Sequence, residues 1–164
     1  MARWAEFAAG APIVSEVFRR RHAATGQLCF LGTLRADGWP RVSPVEPVFF
    51  GDDLFLIGMP NTRKFDDLAR DPRFTVHTAT VDTEVKDDDA KIWGVVEDDL
   101  DANVHRAIAE DMFARTGFDL RGETPFQHCF RCDISGGSAA RIRAGRFEVV
   151  LARTGTAERV IPKS

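Results

Sequence analysis

Residues 27–58 read QLCFLGTLRADGWPRVSPVEPVFFGDDLFLIG, and this stretch decides the fold. Three apolar runs, at 27–35, 41–50 and 54–58, are separated by ADGWP and GDD, whose Asp-Gly and Gly-Asp pairs are turn signals. The spacing predicts a β-meander. Pro44 and Pro47 lie inside the second run. Proline has no N–H to give to a ladder, so this strand needs an edge, a bulge or a partner other than a sheet neighbour on one side.

Upstream, APIVSEVFRRRHAATG (11–26) carries Ile13, Val14, Val17 and Phe18 at helical spacing with Gly26 as a stop, which predicts an amphipathic helix. Downstream, Asn61 is a good N-cap for a helix over Thr62–Arg70, closed by Asp71-Pro72. FTVHTATV (74–81) follows as a fourth strand, DTEVKDDDAK (82–91) as an exposed turn, and KIWGVVED (91–98) as a fifth strand. A second long helix starts at the N-cap Asp101, shows the stripe Val104, Ile108 and Met112, and ends at Gly117. Closing strands are expected near 127–135, 139–144 and 146–152, with turns at Gly136-Gly137 and Ala144-Gly145. Many hairpin-linked strands interrupted by short helices point to an α+β chain, mainly β: an antiparallel barrel with short capping helices, built as one domain over residues 1–164.

At 164 residues, 44% hydrophobic and 29% charged, the chain can bury a core and keep a soluble surface. A net charge of -3 gives no general basic field, which argues against nucleic acid or an anionic membrane as the main partner. The N-terminus lacks a cationic segment followed by an unbroken apolar one, and no apolar run reaches spanning length, so the expected location is cytoplasmic. Cys29, Cys129 and Cys132 are an odd set, and the CxxC of QHCFRCDIS sits in a strand-like pattern that puts its two thiols on opposite faces. Reduced, packed cysteines are expected rather than a redox pair. No metal is expected either: His128 has no further CxxC or HxxxH to complete a zinc set, and Asp87, Asp88 and Asp89 lack the spacing of a calcium loop. GxGxxG, Walker, HExxH and GxSxG signatures do not occur, and with no tyrosine in the chain, tyrosine catalysis is excluded.

A question of sign remains in MPNTRKFDDL (59–68). Arg63 and Lys64 fall in the first turn of a helix, where the backbone already presents unpaired N–H groups and partial positive charge. Asn61, Thr62, Arg63 and Lys64 together offer N–H groups, a hydroxyl and two cations to one anion, and a phosphate suits all of them. The plainer alternative pairs Arg63 with Asp66 or Asp67 on a solvated helix face.

The ordered set LGTL, DGWPRVSPV, GDDLFLI, the Thr and Lys opening a short helix, and LARDPR resembles the flavin-binding split-barrel family, also called the pyridoxamine 5'-phosphate oxidase-like family. The resemblance covers residues 27–80 well and the rest in order of elements. It implies an antiparallel split β-barrel, a homodimer with two FMN sites at the subunit interface, and redox chemistry at the flavin N5 on a small-molecule substrate. Arg41, Val42, Ser43 and Pro44 would lie along the isoalloxazine ring, and Thr62, Arg63 and Lys64 would hold the ribityl phosphate. Trp93 would cover the ring from the partner subunit or serve as an ordinary core residue. No side chain need act as general acid or base; His77 is the best titratable candidate. The chain lacks the Arg- and Trp-rich end of the vitamin B6 oxidases, with Arg141, Arg143 and Arg146 remaining as anion contacts or as a solvated strand edge. Two alternatives stay open: a reductase using the deazaflavin coenzyme, for which Arg19, Arg20 and Arg21 would have to line a groove, and a flavin or haem carrier without turnover. The shortage of cations favours FMN.

Overall fold

The computed structural model describes residues 1–80 and 82–163. The meander forms, with one change. Strand β1 (Cys29–Leu34) turns at Gly38, whose φ of 83° suits only a residue without Cβ, into β2 (Pro40–Val45). The run expected as a single strand over 41–50 then divides, because β3 (Val48–Phe50) begins only after Pro47. A proline there cannot continue the ladder. β4 (Asp53–Leu56) completes the hairpin with β3.

The remaining strands are β5 (Arg73–Thr78), β6 (Asp89–Asp98), β7 (Phe130–Arg143), β8 (Arg146–Arg153) and β9 (Arg159–Pro162). The strand expected over 74–81 thus ends at Thr78, and its last predicted residue, 81, lies outside the described residues. The sheet runs β2-β1-β5-β6-β7-β4-β3, with β8 and β9 added from β7, and its ladders are antiparallel. β2 pairs only with β1, which meets the edge requirement set by its prolines. Among the described residues no ladder joins β2 to β3, so the barrel is not closed.

The turn expected at Gly136-Gly137 is instead the middle of β7, a strand of 14 residues. Its glycines answer to close packing. A Cβ on Gly136 would stand 2.8 Å from the Ala152 carbonyl oxygen and from the Trp93 ring, and one on Gly137 would stand 2.9 Å from the Lys91 carbonyl oxygen and from Val14.

Four α-helices surround the sheet: α1 (Trp4–Gly10), α2 (Pro12–Ala24), α3 (Arg63–Arg70) and α4 (Ala102–Thr116). α1 was not anticipated, although it buries Trp4 and Phe7. α2 follows the expected stripe, with Val14, Val17 and Phe18 fully buried against Leu31, Val76, Ile92 and Ile134 of the sheet. Its first N–H groups are capped from afar: Glu158 accepts from Ile13 N at 3.0 Å and Val14 N at 2.8 Å. α4 has the predicted caps, Asp101 accepting from Asn103 N and Gly117 at φ 74°. Ile108 is buried, with Val104 and Met112 packed beside it.

The acidic run is only in part the exposed turn expected. Asp88 is 5% exposed and accepts from Arg20 and from both terminal nitrogens of Arg143 at 2.8–3.0 Å. Burial opposes its ionisation, yet these guanidinium contacts hold the carboxyl below its ordinary value. Cys129 and Cys132 are buried in separate apolar clusters, consistent with opposite faces of the sheet. No helix among the described residues is long and apolar enough to cross a membrane.

Candidate functional site

The start of α3 sits against the edge strand β2. Thr62, not Asn61, is the N-cap, since Asn61 takes a left-handed φ of 60° and its polar groups are spent on Gln127. Asn61 N donates to Gln127 Oε1 at 2.6 Å, and Gln127 Nε2 donates back to Asn61 Oδ1 at 3.2 Å. Thr62 makes no side-chain cap bond, and its Oγ1 is buried without a partner among the described residues. A buried hydroxyl left unpaired costs roughly 1–3 kcal/mol.

The two cations behave differently. No carboxylate lies within ion-pair distance of Arg63 among the described residues: neither expected partner, Asp66 or Asp67, reaches it, and Asp67 is taken by Arg41 and Arg70. Lys64 Nζ donates to the Pro44 carbonyl oxygen at 2.6 Å. Burial lowers the Lys64 ammonium from its ordinary value, and the nearby Glu46 charge partly opposes that. The helix start and the edge strand are therefore joined through residues that were singled out separately in the sequence.

Asp67 organises the rest and was missed as a functional residue. It is 3% exposed and accepts from Arg41 Nε at 2.6 Å, Thr33 Oγ1 at 2.9 Å and Arg70 at 3.3 Å. Burial alone would raise its carboxyl; those three donors outweigh burial and hold it below the ordinary range. The signal was available, because Asp67 lies between the core residues Phe65 and Leu68. A carboxylate there requires partners.

Strand register places the other candidates. Val42, Gly32, Thr75, Trp93 and Gly136 form one cross-strand row on the sheet face turned away from α1 and α2. Val42 is 72% exposed, Pro44 is exposed, Ser43 is half-buried, and Phe30, beside Pro44 on the same face, is 40% exposed. Trp93 is half-buried against Gly136. Three strand spacings separate it from Val42, about 14 Å, so the chain does not bring Trp93 to β2. His77 shares this face, with Nδ1 2.6 Å from the Thr78 carbonyl oxygen and Nε2 3.7 Å from Asp89. Arg141 and Arg143 are committed to Glu148 and Asp88.

The sequence pattern that defines pyridoxamine 5'-phosphate oxidase matches residues 20–129, about two thirds of the chain. The chain belongs to the pyridoxamine 5'-phosphate oxidase-like family. Among curated proteins none matches. The haem storage protein HutZ from Vibrio cholerae shares the fold at 18% identity and a TM-score of 0.56, covering 91% of this chain and 92% of that one. The haem-binding protein from Mycobacterium smegmatis does so at 18% identity and a TM-score of 0.59, covering 82% of this chain and 57% of that one. A protein from Clostridium acetobutylicum related to general stress protein 26, of the pyridoxinephosphate oxidase family, shares it at 13% identity and a TM-score of 0.57, covering 80% of this chain and 89% of that one. Identities this low carry the fold and nothing finer.

Proposed function

We propose that this chain is an FMN-dependent oxidoreductase that acts on a small molecule as a homodimer. The observation that carries the reading is the start of α3: among the described residues, a buried Thr62 hydroxyl without a partner and an Arg63 guanidinium without a carboxylate, beside Lys64 reaching β2. The Arg63 and Lys64 N–H groups have no acceptor among the described residues, as expected of a first helical turn. Together these donors suit a phosphate monoester better than a neutral ligand.

FMN held there would supply hydride transfer at its N5. The protein's part is positional. Thr62, Arg63 and the helix start would bind the phosphate, while Lys64 and Asp67 fix the helix to β2 through Pro44 and Arg41. β2 has no ladder partner on its outer side among the described residues, so outward backbone groups over Val42 and Ser43 are open to polar atoms of a ring.

The exposed face with Phe30, Val42 and Pro44 supports the dimer, because a second copy would cover these apolar groups and bring its own Trp93 within reach of this β2. The deazaflavin alternative loses its groove. Arg20 is tied to Glu16 and Asp88, Arg21 donates to the Ala79 carbonyl oxygen, and only Arg19 is left. A haem carrier is the second reading, favoured by the half-buried His77 on the same face and by the haem-binding names of two proteins of this fold. Reconstitution with FMN and with haemin, followed by absorption spectra, tests the choice. The proposal expects a stoichiometric flavin spectrum that bleaches on reduction; a sharp haem Soret band with no retained flavin would replace it.

A further inference from the structure

A second cavity, of about 600 Å³, opens between α2 and α4, away from the start of α3. Arg19 and His22 of α2, Phe49 of β3, Met112 and Arg115 of α4, and Phe118 line it. None of them is assigned to the flavin site. The volume lies within the usual range for small-molecule sites.

The chemistry of the lining is specific. The Arg19 guanidinium lies 4.2 Å from the centre of the Phe49 ring and 5.4 Å from that of Trp4, so its plane is fixed on aromatic faces. No carboxylate lies within ion-pair distance of it among the described residues. Arg115, by contrast, is paired with Asp111 at 2.7 Å, and the exposed Glu46 also lines the cavity, its charge felt by Lys64. His22 donates from Nε2 to the Pro47 carbonyl oxygen at 2.7 Å and packs edge-on to Phe49 at 4.9 Å. Burial lowers its pKa, the bond to Pro47 opposes that, and the Arg19 and Arg115 charges lower it further. Arg19 is thus the lining cation with no carboxylate within ion-pair distance among the described residues, set over Phe49 and Met112, with Phe118, 60% exposed, at the rim. We infer that this cavity binds an aromatic organic anion, its carboxylate or sulfonate on Arg19 and its ring system against Phe49, Met112 and Phe118.

The methionines give a local test. The chain has three, Met1, Met59 and Met112, of which Met112 lines the cavity and Met59 precedes the start of α3. With methyl-labelled methionine, 1-naphthoate is expected to shift the Met112 signal saturably, with a Kd below about 1 mM, and to leave Met59 in place. The uncharged 1-naphthalenemethanol and the Arg19→Gln variant should each bind at least about 10-fold more weakly, as loss of a charge-assisted contact implies. An unmoved or unsaturated Met112 signal overturns the site, and equal binding of the two naphthalenes, or of wild type and Arg19→Gln, overturns the anion assignment. A cooperative thermal transition in Arg19→Gln, within a few degrees of wild type, checks that the variant folds. FMN should move Met59 and not Met112, so a failure of the flavin reading is seen separately.

Discussion

Lys64 Nζ donates a 2.6 Å hydrogen bond to the carbonyl oxygen of Pro44. Helix α3 and strand β2 lie 20 positions apart in sequence along this contact, and neither could be aligned to the other by backbone pairing. Pro44 has no N–H to give, and a first-turn lysine has no carbonyl of its own helix to reach. The contact sets the distance between the start of α3 and the exposed edge of β2.

Asp67 makes the same junction rigid and pH-sensitive. Asp67→Ala would leave Arg41 and Thr33 without their acceptor, and a loss of ~1–3 kcal/mol in urea unfolding at pH 7 is expected. Because the folded carboxyl lies below its ordinary value, its contribution is present above about pH 4 and fades as pH falls through the lower folded value. Urea midpoints taken from pH 7 to pH 2.5 should therefore fall less steeply in Asp67→Asn than in wild type. Parallel slopes would remove Asp67 from the acid response.

Gly137→Ala should destabilise by ~1–3 kcal/mol, since the new methyl meets the Lys91 carbonyl oxygen and Val14 at 2.9 Å in a packed core. Thermal melting checks this. Gly122→Ala, at a position with open space around it, is the control and should melt within a degree or two of wild type.

The thiols should be inert in the folded state. Burial pushes Cys29 and Cys129 up to about 12 and raises Cys132 as well, so almost no thiolate exists at pH 8. Ellman's reagent is expected to leave the native protein unmodified over minutes and to titrate three thiols after guanidinium unfolding. A fast-reacting native thiol would contradict the packing.

The meander, the helix stripes and the caps of α4 could be read from the sequence because each rests on local chemistry: alternation, a 3.6-residue period, Asp101 and Gly117. What could not be read depends on contacts distant in the chain. Gly136 and Gly137 resemble a turn until Trp93 and Val14 are seen against them. Asp88 resembles a solvated acid until Arg20 and Arg143 arrive from 68 and 55 positions away. At the candidate site the cation pair was visible, whereas the Asp67 hub and the Asn61–Gln127 exchange required the folded chain.

Assembly is open to direct test. Light scattering at micromolar concentration should give a dimer, and Val42→Asp, placing a charge on the exposed row beside Gly32, should shift it to monomer while leaving the melting of the monomer fold intact. A wild-type monomer with flavin bound would refute the two-subunit site.

Whether the start of α3 holds a phosphate is decided by one comparison: titration of apo-protein with FMN and with riboflavin in wild type, Arg63→Ala and Lys64→Ala. A charge-assisted contact is worth ~1.5–3 kcal/mol, so Arg63→Ala should weaken FMN binding ~10- to 150-fold. Riboflavin, which has no phosphate, should bind wild type and Arg63→Ala with nearly equal affinity, whereas Lys64→Ala, which releases the Pro44 carbonyl oxygen, should weaken both ligands. Equal losses for FMN and riboflavin in Arg63→Ala would contradict the phosphate reading and leave Arg63 as a support of the fold.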